Sequence, residues 1–217
     1  MAGEKKLKKI YYKDISDDTY QFIFIPGSGG SFFKACFYAY VEHLEPTKYK
    51  HGTTFTIKSD GEYIGENPGK GKRHIHISQD IQQLIKEQDK HKLVAVTYTQ
   101  ADLPIIWKRN YTTYESKWID DNPLECLNAF PELENCMDDP VRREQAYYNS
   151  QIRIHSDDNF LSLVKQLDLC LEIKYKTIQD GDLNQQLADY FKCDPLDHVQ
   201  DFINLYREKN QKYFKLT

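Results

Sequence analysis

The feature that most narrows the possible folds is an apolar run, Tyr20-Gln-Phe-Ile-Phe-Ile25, that passes directly into the glycine-rich turn Pro26-Gly-Ser-Gly-Gly-Ser31. A strand that is apolar at successive positions has no face to offer water, so it belongs inside a sheet covered on both sides. From Ser31 to His43 the spacing becomes helical, with Phe32, Cys36, Ala39 and Tyr40 recurring at three- and four-residue steps. Strand, tight turn and helix make a βα unit, which commits the chain to an α/β class.

The rest of the chain repeats that alternation. Arg73-His-Ile-His-Ile-Ser78, Leu93-Val-Ala-Val-Thr97 and Leu169-Cys-Leu-Glu-Ile-Lys-Tyr175 read as three more strands, and Ile81, Leu84 and Ile85 share one face of a helix over Asp80–Gln88. Asp102 ahead of Pro104 predicts a capped helix to about Tyr114, and Asp139-Pro140 repeats the signal. Asp182 opens a helix to about Phe191, and Asp194-Pro195 starts a last one carrying Leu196, Val199, Ile203 and Tyr206. The expected architecture is a three-layer α/β/α fold with a mainly parallel sheet of about four to five strands. Residues 1–19 read as a polar N-terminal extension, 20–217 as a single domain, and 119–150 as a helical insertion. Between 45 and 73, Pro46, Pro68 and five glycines mark an irregular excursion whose basic stretch Asn67–Arg73 is either a lid or an ordinary surface loop.

Charge excludes some partners. With 29 basic and 33 acidic side chains the net charge is −4, which argues against wrapping nucleic acid or coating an anionic membrane. No run approaches the roughly 20 apolar residues that cross a bilayer, and no hydrophobic segment follows the Lys-rich start, so a cytoplasmic protein is expected. Five cysteines without a C-x-x-C pair suit reduced thiols, and Cys36 and Cys170, lying in apolar runs, are expected in the core. The sixteen tyrosines and eleven phenylalanines are expected to supply packing.

Candidate chemistry centres on the turn. Between a strand and a helix, backbone N–H groups can converge on an anion while the helix dipole favours it. That makes Gly27, Ser28, Gly29, Gly30 and Ser31 the candidate phosphate-binding residues, with Ser31 either touching a phosphate oxygen or capping the helix. Ile25 and Gly30 stand where a Walker loop has its first Gly and its Lys, which disfavours an ordinary ATPase or GTPase. A tight turn with no ligand is the plain alternative. His74 and His76 share a strand face, where His76 could pack, act as a base, or join a metal pair for which no third ligand is identifiable.

The order of segments over roughly residues 20–206 resembles the sulfotransferase branch of P-loop folds. In that family the first loop reads P-K/R-S-G-T-T/S and binds the phosphosulfate end of 3′-phosphoadenylyl sulfate; Pro26–Ser31 is similar, with Gly27 at the basic position. The resemblance implies His76 as general base on an acceptor hydroxyl. It also places Tyr98 and Ile106 where the family carries the Arg and Ser that hold the donor's 3′-phosphate, leaving Lys108 and Arg109 as shifted replacement cations. Lys176 and Thr177 replace an acidic pair, and the family's late glycine loop has no counterpart in residues 207–217. The expected function is therefore sulfuryl transfer from 3′-phosphoadenylyl sulfate to a hydroxyl acceptor. The alternatives are a non-catalytic accessory or assembly protein, of a kind expected in a virus, which binds a protein partner or itself through a tyrosine-rich surface, and an atypical small-molecule kinase. Arg73, Lys108, Arg109, Arg142 and Arg143 are the cations whose approach to the loop discriminates among them.

Overall fold

A computed structural model of the chain describes residues 10–11, 20–44, 52–53, 56–57, 63–64, 74–75, 85–86, 92–155 and 159–214. The fold is mixed α/β. Two short antiparallel ladders, β1 (Ile10–Tyr11) with β3 (Gly52–Thr53) and β4 (Thr56–Ile57) with β5 (Tyr63–Ile64), stand apart from the main sheet. That sheet is built on three parallel strands, β2 (Tyr20–Ile23), β7 (Lys92–Thr97) and β8 (Leu169–Lys174). The two-residue β6 (His74–Ile75) lies parallel on the other side of β2, giving the spatial order β6-β2-β7-β8. Chain order thus runs outward in both directions from the β2–β7 pair, which makes the carboxyl ends of those two strands a topological switch point.

Successive side chains of the strands go to opposite faces, and each face has its own core. Phe22, Phe24, Val94, Val96 and Ile173 meet α1 (Gly30–Leu44) and the later helices on one side. Ile23, Ile25, Leu93 and Ala95 meet Leu103, Ile105, Ile106, Tyr147 and Phe160 on the other. This two-sided burial is why the first strand reads as continuously apolar. Helix α1 is more deeply set than its spacing indicates, with eleven of its fifteen residues buried. Phe32, Phe33 and Phe37 are inaccessible, and each contributes roughly 2 to 3 kcal/mol by leaving water.

The helices follow the cap signals with instructive exceptions. α2 (Leu103–Asn110) continues through a π-helical turn at Tyr111–Glu115 into α3 (Ser116–Asp121) and α4 (Pro123–Ala129). Asp102 does not cap α2: its Oδ2 accepts from the N–H and Oγ1 of Thr99 at 2.7 and 2.8 Å, closing the turn that leaves β7. Asp139 does cap α5 (Pro140–His155), accepting the amides of Val141 and Arg142 at 3.1 Å. After α6 (Asn159–Val164) and β8 come α7 (Tyr175–Asp180), α8 (Leu183–Phe191) and α9 (Asp197–Phe214). The last helix begins at Asp197, because Leu196 is held outside it: Tyr40 Oη accepts the amide of Leu196 at 3.2 Å and donates to Asn184 Oδ1 at 2.5 Å.

Cys36 is buried as expected, but Cys170 is exposed. The reason is register. Leu93 pairs with Leu169 and Val94 with Leu171, so Cys170 is the extra residue at a bulge and leaves the alternation. The polar extension over 1–19 (apart from Ile10 and Tyr11), the basic loop 67–73 and most of the helix expected over 80–88 lie outside the described residues.

Candidate functional site

Between β2 and α1 the chain turns in two left-handed steps, with φ of +84° at Gly27 and +78° at Gly29. Ser28 is buried between them, and both its hydroxyl and its amide donate to the carbonyl of Ile25, at 2.7 and 3.2 Å. Each glycine is required by close approach. A Cβ on Gly27 would lie 2.4 Å from the carbonyl oxygen of Ile106, and one on Gly29 would lie 2.8 Å from Tyr206 Oη. Two helices, α2 and α9, therefore rest directly on the turn.

The first intrahelical bond of this end of α1 runs from the amide of Phe33 to the carbonyl of Gly29 at 2.8 Å. The amides of Gly29, Gly30, Ser31 and Phe32 precede it, and among the described residues nothing accepts from them. Gly29, Gly30 and Phe32 are buried, and Ser31 is half-buried. Orphan amides are ordinary at an exposed helix start and costly at a buried one.

Arg109 is the cation that reaches the turn. At 3% exposure, its Nη1 donates to the carbonyl of Gly27 at 2.8 Å and its Nε to Asn210 Oδ1 at 2.7 Å. Its guanidinium lies 5.2 Å from the Tyr206 ring centre, and that ring stacks on Phe32 at 3.8 Å. Tyr175, the first residue after β8, is also buried there, and among the described residues its hydroxyl meets no hydrogen-bond partner. Burial raises the Tyr175 pKa; Tyr206 and Asp102 push in the same direction and Arg109 opposes them.

The other nominated cations go elsewhere. Lys108 pairs with Glu144, which also accepts from Tyr148 Oη. Arg143 pairs with Asp120 at 2.6 Å and donates to Tyr111 Oη, while Arg142 is exposed. His76 and Arg73 lie outside the described residues. Tyr98 and Ile106, at the positions the resemblance gives to 3′-phosphate anchors, are core residues, Tyr98 with its ring stacked on Phe160. Sequence reasoning placed Gly27–Ser31 and Arg109 together but missed Tyr175 and Asn210. Tyr175 read as a strand residue, and nothing in the period of α9 distinguishes Asn210 from a surface amide.

A cavity of about 870 Å³ opens on the face of β7 and β8 that carries Thr97, Glu172 and Lys174. None of the residues of the glycine turn lines it. Among the described residues there is no group of three side chains that could hold a metal ion, and no helix is long and apolar enough to cross a membrane. Comparison of the chain with protein-family models, with curated proteins and with solved structures finds no match.

Proposed function

We propose that the chain holds the phosphate end of a nucleotide on the amides that open α1, as a sulfotransferase-like protein whose donor-class ligand is 3′-phosphoadenylyl sulfate. The observation that carries this reading is the set of buried amides of Gly29, Gly30 and Phe32 that meet no acceptor among the described residues, at the switch point of the sheet. Buried backbone donors nearly always find a partner, and a tetrahedral anion offers several acceptors to converging amides at once. The helix dipole adds to the attraction. Behind the turn, Arg109 holds a permanent positive charge on the carbonyl of Gly27.

These residues suit a 5′-phosphosulfate end group. Tyr98 and Ile106 are buried and bring no positive charge to a 3′-phosphate, so recognition should depend mainly on the 5′ end of the ligand. Sulfuryl transfer to a hydroxyl acceptor is the reaction that goes with such a ligand. His76 is the base that the family resemblance implies for it and lies outside the described residues; binding is therefore the step to test.

Calorimetric titration with adenosine 3′,5′-bisphosphate, adenosine 5′-phosphate and adenosine 3′-phosphate makes that test, on the native chain and on Ser31→Glu. A carboxylate at this second helical position suits the dipole and leaves folding intact, while it repels an anion. Binding of the two 5′-phosphates, weakened about tenfold or more by Ser31→Glu, supports the reading.

One observation favours a second reading, a non-catalytic accessory or assembly protein that keeps the scaffold for its shape. Arg109 already donates to Gly27 and Asn210, and the glycines back onto Ile106, Tyr206 and Phe24, which accounts for them as packing. Absence of binding by all three nucleotides selects it.

A further inference from the structure

The cavity over β7 and β8 has the size of a small-molecule site and combines an apolar wall with a polar mouth. Leu161, Leu169 and Phe214 are only half-buried although they adjoin the second core, so part of their surface faces the cavity. Val164 and Tyr98 complete that wall.

The polar groups at the mouth divide into satisfied and unsatisfied sets. Thr97 Oγ1 donates to Glu172 Oε1 at 2.6 Å, and Asp102 is held by Thr99, so both carboxylates already have donors. Lys165, Lys174 and Lys176 also line the cavity, and none makes an ion pair among the described residues. Asp180 is the one lining carboxylate for which no such donor is described. The six charges sum to zero, so no broad field selects a ligand; local ammonium donors awaiting an acceptor do. A head group rich in acceptors, on a body that covers Leu161, Leu169 and Phe214, satisfies both halves of the cavity.

We infer that this cavity binds an organic anion with an apolar body, a medium-chain carboxylate or an alkyl or aryl sulfate, with its head on Lys165, Lys174 and Lys176 and its body against Leu161, Val164, Leu169 and Phe214. The inference does not depend on nucleotide binding at the glycine turn, because the two places share no lining residue.

The test follows the fluorescence of anilinonaphthalene sulfonate bound to the full-length chain and its displacement by decanoate, decyl sulfate and decanol. Saturable binding of one probe molecule per chain is expected, displaced by decanoate and decyl sulfate at concentrations at least about tenfold below those needed for decanol. Replacing the exposed pair, Lys174→Gln with Lys176→Gln, should weaken both anions about tenfold and leave decanol unchanged. Leu161→Trp, which fills the apolar half, should abolish saturable binding of the probe while circular dichroism stays native. Equal potency of decanol and decanoate, anion binding untouched by the double lysine variant, or absence of saturable probe binding overturns the assignment. Displacement of the probe by adenosine 3′,5′-bisphosphate would also count against it, since it would make the cavity part of a nucleotide site.

Discussion

The guanidinium of Arg109 donates to the carbonyl oxygen of Gly27 at 2.8 Å, across 82 residues of sequence, and ties the turn after β2 to helix α2. The same side chain bonds Asn210 of α9, so one buried cation joins three elements at the carboxyl edge of the sheet. Replacing it with Met removes the charge, keeps much of the volume, and leaves the Gly27 carbonyl and the Asn210 amide oxygen without this donor. Arg109→Met should cost about 2 to 4 kcal/mol in urea unfolding. A loss below about 1 kcal/mol would mean the clamp does not hold the edge together.

Gly27 and Gly181 have nearly the same backbone, with φ of +84° and +91°, but different neighbours. A Cβ on Gly27 meets the backbone oxygen of Ile106, which cannot move away; one on Gly181 meets the guanidinium of Arg207, the far end of a flexible chain. Gly27→Ala should therefore destabilise by about 3 kcal/mol or more and Gly181→Ala by about 1 to 2 kcal/mol. Equal losses in parallel thermal melts would contradict this packing of α2 on the turn.

Glu115 closes the π-helical turn after α2, and burial raises its carboxyl pKa above the ordinary value, opposed by a hydrogen bond from Asn110. A carboxyl whose folded-state pKa exceeds its unfolded value is the more protonated in the fold. Its contribution is fully present below the unfolded value near 4.5 and is lost as pH climbs through the raised one. Glu115→Gln keeps an oxygen for Asn110 and carries no charge. It should be more stable than the native chain by roughly 1 kcal/mol at pH 8, with the difference closing toward pH 4. A variant less stable at both pH values would assign Glu115 a charged partner instead.

The cysteines should separate by accessibility. Cys170 is exposed and Cys193 half-exposed, whereas Cys36, Cys126 and Cys136 are buried, and burial pushes the Cys126 thiol up to about 11, reinforced by Glu115. Titration with a chromogenic disulfide at pH 8 should modify Cys170 and Cys193 in the native chain and all five in denaturant. Fast reaction of Cys126 would contradict the burial of α4.

The alternation of strands and helices was legible because burial on both faces imposes a visible apolar run on β2 and β7. The turn was legible because left-handed steps at Gly27 and Gly29 admit few other residues. Other features depend on register and long-range contact, which local pattern does not encode. Cys170 sits in an apolar run yet faces outward, because a bulge against Leu93 and Val94 shifts it by one position. Asp102 looks like a helix cap and instead closes a turn with Thr99, because the chain needs a 3-10 turn before α2 begins. Lys108 and Arg109 are neighbours in sequence, and the helix sends one to Glu144 and the other into the turn. Tyr175 and Tyr206, far apart along the chain, come together only where the carboxyl ends of the strands meet α9.

The most direct measurement on the site itself is a proton–nitrogen correlation spectrum of glycine-labelled protein, titrated with adenosine 3′,5′-bisphosphate. The amides of Gly29 and Gly30 should shift downfield along one saturable curve that weakens with added salt, while Gly181 on the far side of α7 stays in place. Unmoved Gly29 and Gly30 resonances at saturating nucleotide would contradict anion binding at the start of α1 and leave the turn as a packing device.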